Sequence, residues 1–131
     1  MDNIHKFFKS FRYAFRGLKH MLKNEQSFQI QMLVGLFVII LMFIFSIRGW
    51  EKVALFLVIF LVLVMELINT IFERVVDILK PRVHPYARLI KDIMAAAVLI
   101  SSIGAIVVGI TIFYPYFKEL FFANNLVFLY N

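Results

Sequence analysis

The 131-residue sequence contains no cysteine, and its eight acidic residues are outnumbered by fourteen Lys and Arg. Without cysteine there is no disulfide framework and no thiolate metal site, so a metal must be held by carboxylates, carbonyls or the three His, a donor set that favours a hard cation. Those histidines, His5, His20 and His84, lack the i, i+4 pairing of a zinc helix, and no zinc is assigned. Neither G-x-x-x-x-G-K-[ST] nor G-x-G-x-x-G occurs, which excludes a P-loop and a protein-kinase-like nucleotide site. Charge is scarce at 17% of residues, and residues 28–47, 53–65 and 93–113 carry none.

Apolar side chains fill the space instead. The chain is 63% hydrophobic and 17% aromatic, with a mean hydropathy of +0.88, where a soluble domain averages about half apolar. Three spans of about 20 residues each match about 30 Å of hydrocarbon and leave little for a separate soluble domain. The expected fold is an all-α integral membrane protein of one domain, 1–131. It has a surface helix at 4–23, membrane helices at 28–47, 53–79 and 91–114, and an interfacial tail at 115–131. The first span is too long for a signal-peptide core and lacks a small-residue cleavage site, so it is expected to stay in the protein.

In the first segment Ile4, Phe7, Phe8, Phe11, Ala14, Phe15, Leu18, Met21 and Leu22 repeat with the period of one helix face, while Lys and Arg occupy the others. A basic amphipathic helix of this kind lies in the interface. Six cations precede the first span, two lie at the turn Arg48-Gly49-Trp50-Glu51-Lys52, and five fall between Arg74 and Lys91. This asymmetry predicts a cytoplasmic N-terminus and second loop in the cell (inner) membrane. The +6 net charge sits beside apolar spans, so anionic headgroups or phosphate substrates are the expected partners, not nucleic acid. Pro81 and Pro85 predict a connecting loop over 80–88. In the third span Ala97, Ser101, Ala105 and Gly109 make a small-residue stripe expected to let helices approach closely.

Glu66, Asn69, Glu73 and Asp77 are spaced three, four and four residues apart, so they share one helical face. Glu66 follows thirteen apolar residues, and a carboxylate at the edge of hydrocarbon is costly enough to point to function. A buried polar contact between helices is its other use. Lys80, Arg82, Arg88 and Lys91 can neutralise a polyphosphate, and Glu25 can join Glu73 around a divalent ion. Carboxylates beside cations at a membrane edge suit phosphoryl transfer, with the carboxylate nearest the lipid as base.

The run Glu66-Leu67-Ile68-Asn69-Thr70, with Glu73, Val75-Val76-Asp77, His84-Pro85, Lys91-Asp92 and Ala96-Ala97-Val98, resembles the prokaryotic diacylglycerol kinase family, which includes undecaprenol kinases. Upstream, Tyr13-Ala14-Phe15, Gly17-Leu18 and Asn24-Glu25 extend the resemblance over about residues 6 to 115. The resemblance implies a homotrimer with active sites shared between subunits, moving the γ-phosphate of Mg-ATP to a membrane lipid alcohol. It implies Glu66 as base with Asn69 shaping the site, and Glu25 and Glu73 as ligands of Mg2+. Nucleotide contacts would fall on Lys6, Lys9, Tyr13, Asp77, Arg82, Val83, His84, Lys91 and Asp92. Phe28, Gln31 and Ala95 would sit near the lipid headgroup, beside Glu66.

His84-Pro85-x-Ala87-Arg88 and Gly109-Ile110-Thr111-Ile112-Phe113-Tyr114-Pro115 look more like undecaprenol kinases than Gram-negative diacylglycerol kinases, with diacylglycerol the alternative substrate. Ile71-Phe72 and Met94-Ala95 depart from the family's smaller residues and bear on the lipid pocket, not on the acidic positions. A small multidrug-type transporter would carry a lone membrane carboxylate, and an anchor without chemistry would need none. The ladder fits neither.

Overall fold

A computed structural model describes residues 2–79 and 85–129. Among them the order is α1 (Asp2–Asn24), α2 (Gln26–Ile44), α3 (Gly49–Leu79) and α4 (Pro85–Leu129), all helical. The protein is all-α, and α2, α3 and α4 are each long and apolar enough to cross a bilayer.

Each helix end has a local cause. The chain turns at Glu25, whose backbone is extended between α1 and α2. The corner is closed by Gln29, whose Nε2 donates to the Leu22 carbonyl at 2.8 Å, and by burial of Met21 and Phe28 beneath it. The first span was expected to reach residue 47, but α2 stops at Ile44, followed by Ser46 at φ 49°. The second span was expected from 53, yet α3 starts at Gly49 because Glu51 reaches back to accept the Arg48 N–H at 3.3 Å, the return half of a capping box. The third was expected from 91, but α4 opens at Pro85, where a fixed φ and a missing N–H suit the first helical position. The rest of the expected loop, 80–84, with Arg82, Val83 and His84, lies outside the described residues.

The largest departure is at Pro115. The third membrane helix was expected to end at 114, with an interfacial tail from 115, and α4 continues through Pro115 to Leu129. An interior proline costs about 3 kcal/mol. Contacts on both sides of it offset that cost: Phe113 and Phe117 both pack on the Phe45 ring, the latter at 4.7 Å between centroids. Tyr116 donates to Glu51 Oε2 at 2.6 Å.

These contacts also set the topology. The end of α2 meets α4 near Phe113 and Phe117, and the start of α3 meets Tyr116, so the three helices run antiparallel in sequence. Met42, Ile47, Leu55, Ile112 and Phe113 form the buried core at this end. Elsewhere large apolar side chains such as Phe37, Leu57 and Ile100 stay exposed, which a water-soluble monomer does not tolerate over so wide an area and a bilayer requires.

Candidate active site

The opposite end of the helices carries the polar residues. At about 1.5 Å per residue the 31 residues of α3 extend about 46 Å, against about 30 Å of hydrocarbon. Glu66 lies about 26 Å along from Gly49, short of that thickness, while Glu73 and Asp77, about 36 and 42 Å along, exceed it. One helix is long enough to carry a carboxylate to the edge of a bilayer and two more past it.

The Glu66 side chain is 6% exposed. Gln31, on α2, donates from Nε2 to Glu66 Oε2 at 2.9 Å, a bond between helices at membrane depth that holds the carboxylate in place. Asn69 is also buried, and its Nδ2 donates to Glu73 Oε1 at 3.2 Å. Two acceptors, Gln31 Oε1 and Asn69 Oδ1, are buried without a hydrogen-bond partner among the described residues. Such orphans cost about 1 to 3 kcal/mol each and mark places where a ligand can donate.

Glu25 was expected to join Glu73 around a divalent ion. It reaches the residue beside Glu73, Arg74, whose Nη2 donates to Glu25 Oε1 at 2.6 Å. The hydrogen bond and charge of Glu25 raise the Arg74 pKa, with smaller contributions from the charges of Asp77 and Glu73. Lys91, in the second turn of α4, pairs with Asp77 and ties α4 to the ladder. Asp92 and Ala95 follow it on exposed turns of α4, and Phe28 is 1% exposed under the α1–α2 corner.

Lys6, Lys9 and Tyr13 are not drawn into this cluster. They are exposed on α1, where Ser10 donates to the Lys6 carbonyl and Arg16 lies over the Tyr13 ring at 5.9 Å. No group of three His, Cys, Asp or Glu side chains converges among the described residues. Mg2+ is commonly held by one or two carboxylates together with substrate phosphates, a donor set that Glu25 and Glu73 can supply.

Sequence reasoning missed Arg74 as a member of the site, since it was counted only among the topology-setting cations. It also missed Glu51 and Tyr116. The signal for Glu51 was present: it lies two residues before the uncharged run 53–65, and a carboxylate close to hydrocarbon needs a partner.

The family model for prokaryotic diacylglycerol kinase matches residues 12–113. The undecaprenol kinase of Bacillus subtilis (strain 168) is 32% identical over 114 residues, which is 87% of this chain and 93% of that protein. A diacylglycerol kinase of Synechocystis sp. is 35% identical over 101 residues, covering 76% of this chain and 58% of its own. The diacylglycerol kinase of Escherichia coli (strain K12) is 27% identical over 109 residues, covering 83% and 89%.

Proposed function

Because the chain belongs to the prokaryotic diacylglycerol kinase family, and is thereby a membrane lipid kinase, we propose that it transfers the γ-phosphate of Mg-ATP to undecaprenol, giving undecaprenyl phosphate. The observation that carries this reading is Glu66, a buried carboxylate at the border of the hydrocarbon, with Glu73, Asp77 and Lys91 further out on the same side. A hydroxyl held in the lipid and a phosphate held in water meet at that border.

In this reading Glu66 accepts the proton of the lipid hydroxyl as its oxygen attacks the γ-phosphorus and ADP departs. Gln31 fixes the carboxylate, and Asn69 fixes Glu73. Glu25 and Glu73 hold Mg2+, which offsets phosphate charge when bound. Lys91 and Asp92, with Lys6, Lys9, Tyr13 and Asp77, contact the nucleotide, and Arg82, Val83 and His84 complete that set. Phe28, Gln31 and Ala95 flank the lipid headgroup. The nucleotide and the excess of Lys and Arg put this end on the cytoplasmic face of the inner membrane. The protein acts as a homotrimer with active sites shared between subunits. Nucleic acid has no part in this reading.

The preference for undecaprenol is supported by the coverage of the undecaprenol kinase match, nearly the whole of both chains. Diacylglycerol, giving phosphatidic acid, is the second reading, favoured by relatives of similar identity that carry that name. Purified protein in lipid vesicles, given Mg-ATP with undecaprenol and diacylglycerol side by side, is expected to phosphorylate undecaprenol faster. Glu66→Gln is expected to lower the rate by about 10²- to 10⁴-fold, the usual worth of a general base. Glu73→Gln is expected to be inactive as well, with both variants retaining the wild-type helical circular dichroism. No phosphorylation of any lipid alcohol above the variants' level would overturn the kinase reading.

A further inference from the structure

Arg74 belongs to the site, yet the proposed reaction gives it no task. Its position is the first indication of one. Arg74 follows Glu73 on α3, and one residue turns a helix by about 100°, so Arg74 stands off the face shared by Glu66, Asn69, Glu73 and Asp77. It stands on the flank that meets Glu25 at the α1–α2 corner. It also lies eight residues beyond Glu66, about 12 Å further along the helix axis.

Its exposure and its spare donors point the same way. In the pair with Glu25 the carboxylate side chain is 20% exposed and the arginine 65%, so the guanidinium is the partner that faces water. A guanidinium carries five N–H donors in one rigid plane. Among the described residues Arg74 makes one hydrogen bond, from Nη2 to Glu25 Oε1. Lys91, the other paired cation of the site, is a compact ammonium on a flexible stem. A planar fork can hold a carboxylate with one edge and a phosphate with the other. A polyphosphate brought toward Glu25, Glu73 and Asp77 meets three carboxylates, and a cation already fixed by one of them offsets that repulsion with little further loss of side-chain freedom.

We propose that Arg74 binds the β-phosphate of the nucleotide, bridging it to Glu25. This rests on the kinase reading and deepens it. The γ-phosphorus has to reach the lipid oxygen beside Glu66, so a group about 12 Å further out along α3 meets the part of the nucleotide that leaves as ADP. The contact is the same before and after transfer. It therefore tightens substrate and transition state alike, lowering KM without raising kcat.

Saturating Mg2+ separates this contact from an effect carried only by Glu25 and its metal, because excess metal restores the second and not the first. With the purified full chain in lipid nanodiscs at saturating Mg2+, calorimetric titration with ADP is expected to give Arg74→Ala a Kd about ten- to a hundredfold above wild type, the scale of one hydrogen bond to a charged group. Arg74→Lys keeps the charge without the fork and is expected to fall between; it carries the test if the alanine variant does not fold. Initial rates at the same metal concentration are expected to show KM for ATP raised by a similar factor, with kcat within about threefold of wild type. An ADP Kd equal in wild type and variants would overturn the proposal, as would a difference that vanishes when Mg2+ is raised. A fall in kcat with KM unchanged would also overturn it, by placing Arg74 at the transferring phosphate. The ADP titration needs no lipid alcohol, so it stands apart from the kinase reading, which fails instead if the wild-type protein phosphorylates no alcohol.

Discussion

Four carboxylates at the site are each held by one neighbour, and the partners of Glu66 and Glu25 differ in kind. Gln31 meets Glu66 as a neutral amide in a buried setting, whereas Arg74 meets Glu25 as an ion pair whose arginine side chain is 65% exposed. An exposed pair contributes about 0 to 1 kcal/mol to stability, so Arg74 matters for where it holds Glu25. It engages Oε1, so in the proposed reading Oε2 is the oxygen offered to Mg2+. Arg74→Ala is therefore expected to shift unfolding by less than about 1 kcal/mol while raising the Mg2+ concentration needed for half-maximal rate. A metal titration of activity beside a denaturation curve separates the two effects. Arg74→Lys keeps the charge but loses the planar fork, and is expected to fall between.

Helices carry the next set of consequences. Beside the Phe45 ring contacts, one hydroxyl hydrogen-bonds the turn between α2 and α3 to α4: Tyr116 donates to Glu51 Oε2 and also accepts from the Arg48 N–H at 3.4 Å. Removing that hydroxyl strands a buried carboxylate. Tyr116→Phe is expected to lower stability by about 1 to 3 kcal/mol while leaving specific activity of the folded protein near wild type, because this end lies across the membrane from Glu66. A thermal melt in detergent, paired with an assay below the transition, checks both halves. Close approach of helices occurs at Gly35, where an added Cβ would come within 3.0 Å of Ile59 Cγ2. Gly35→Ala is expected to destabilise as overpacking does, by about 1 kcal/mol or more. Gly109→Ala, in open space, is expected to stabilise α4 by about 0.5 to 1 kcal/mol through helix propensity. Parallel melts of the two variants should move in opposite directions.

At the scale of the whole molecule, α3 and α4 both outrun the bilayer, and what projects differs at the two faces. On one side it is the ladder with Arg74 and Lys91; on the other it is the apolar continuation of α4 past Tyr116. Cysteines introduced at Lys23 and at Gly49, in a chain with none of its own, are expected to react with an impermeant reagent from opposite sides, Lys23→Cys from the cytoplasm. Labelling of both from one side would contradict the cytoplasmic placement of the site. Much of this architecture was legible in the amino-acid order. An uncharged run of twenty residues has one stable solution in hydrocarbon, and spacings of three and four put Glu66, Asn69, Glu73 and Asp77 on one face whatever surrounds them. Those are local consequences of backbone geometry and solvent. Pairings between residues far apart in the chain were not legible: Gln31 with Glu66, Glu25 with Arg74, Glu51 with Tyr116. Periodicity states which face a helix turns inward, but only the packed helices decide which atoms meet there, and those meetings carried α4 through Pro115 and left one amide oxygen beside Glu66 waiting for a donor.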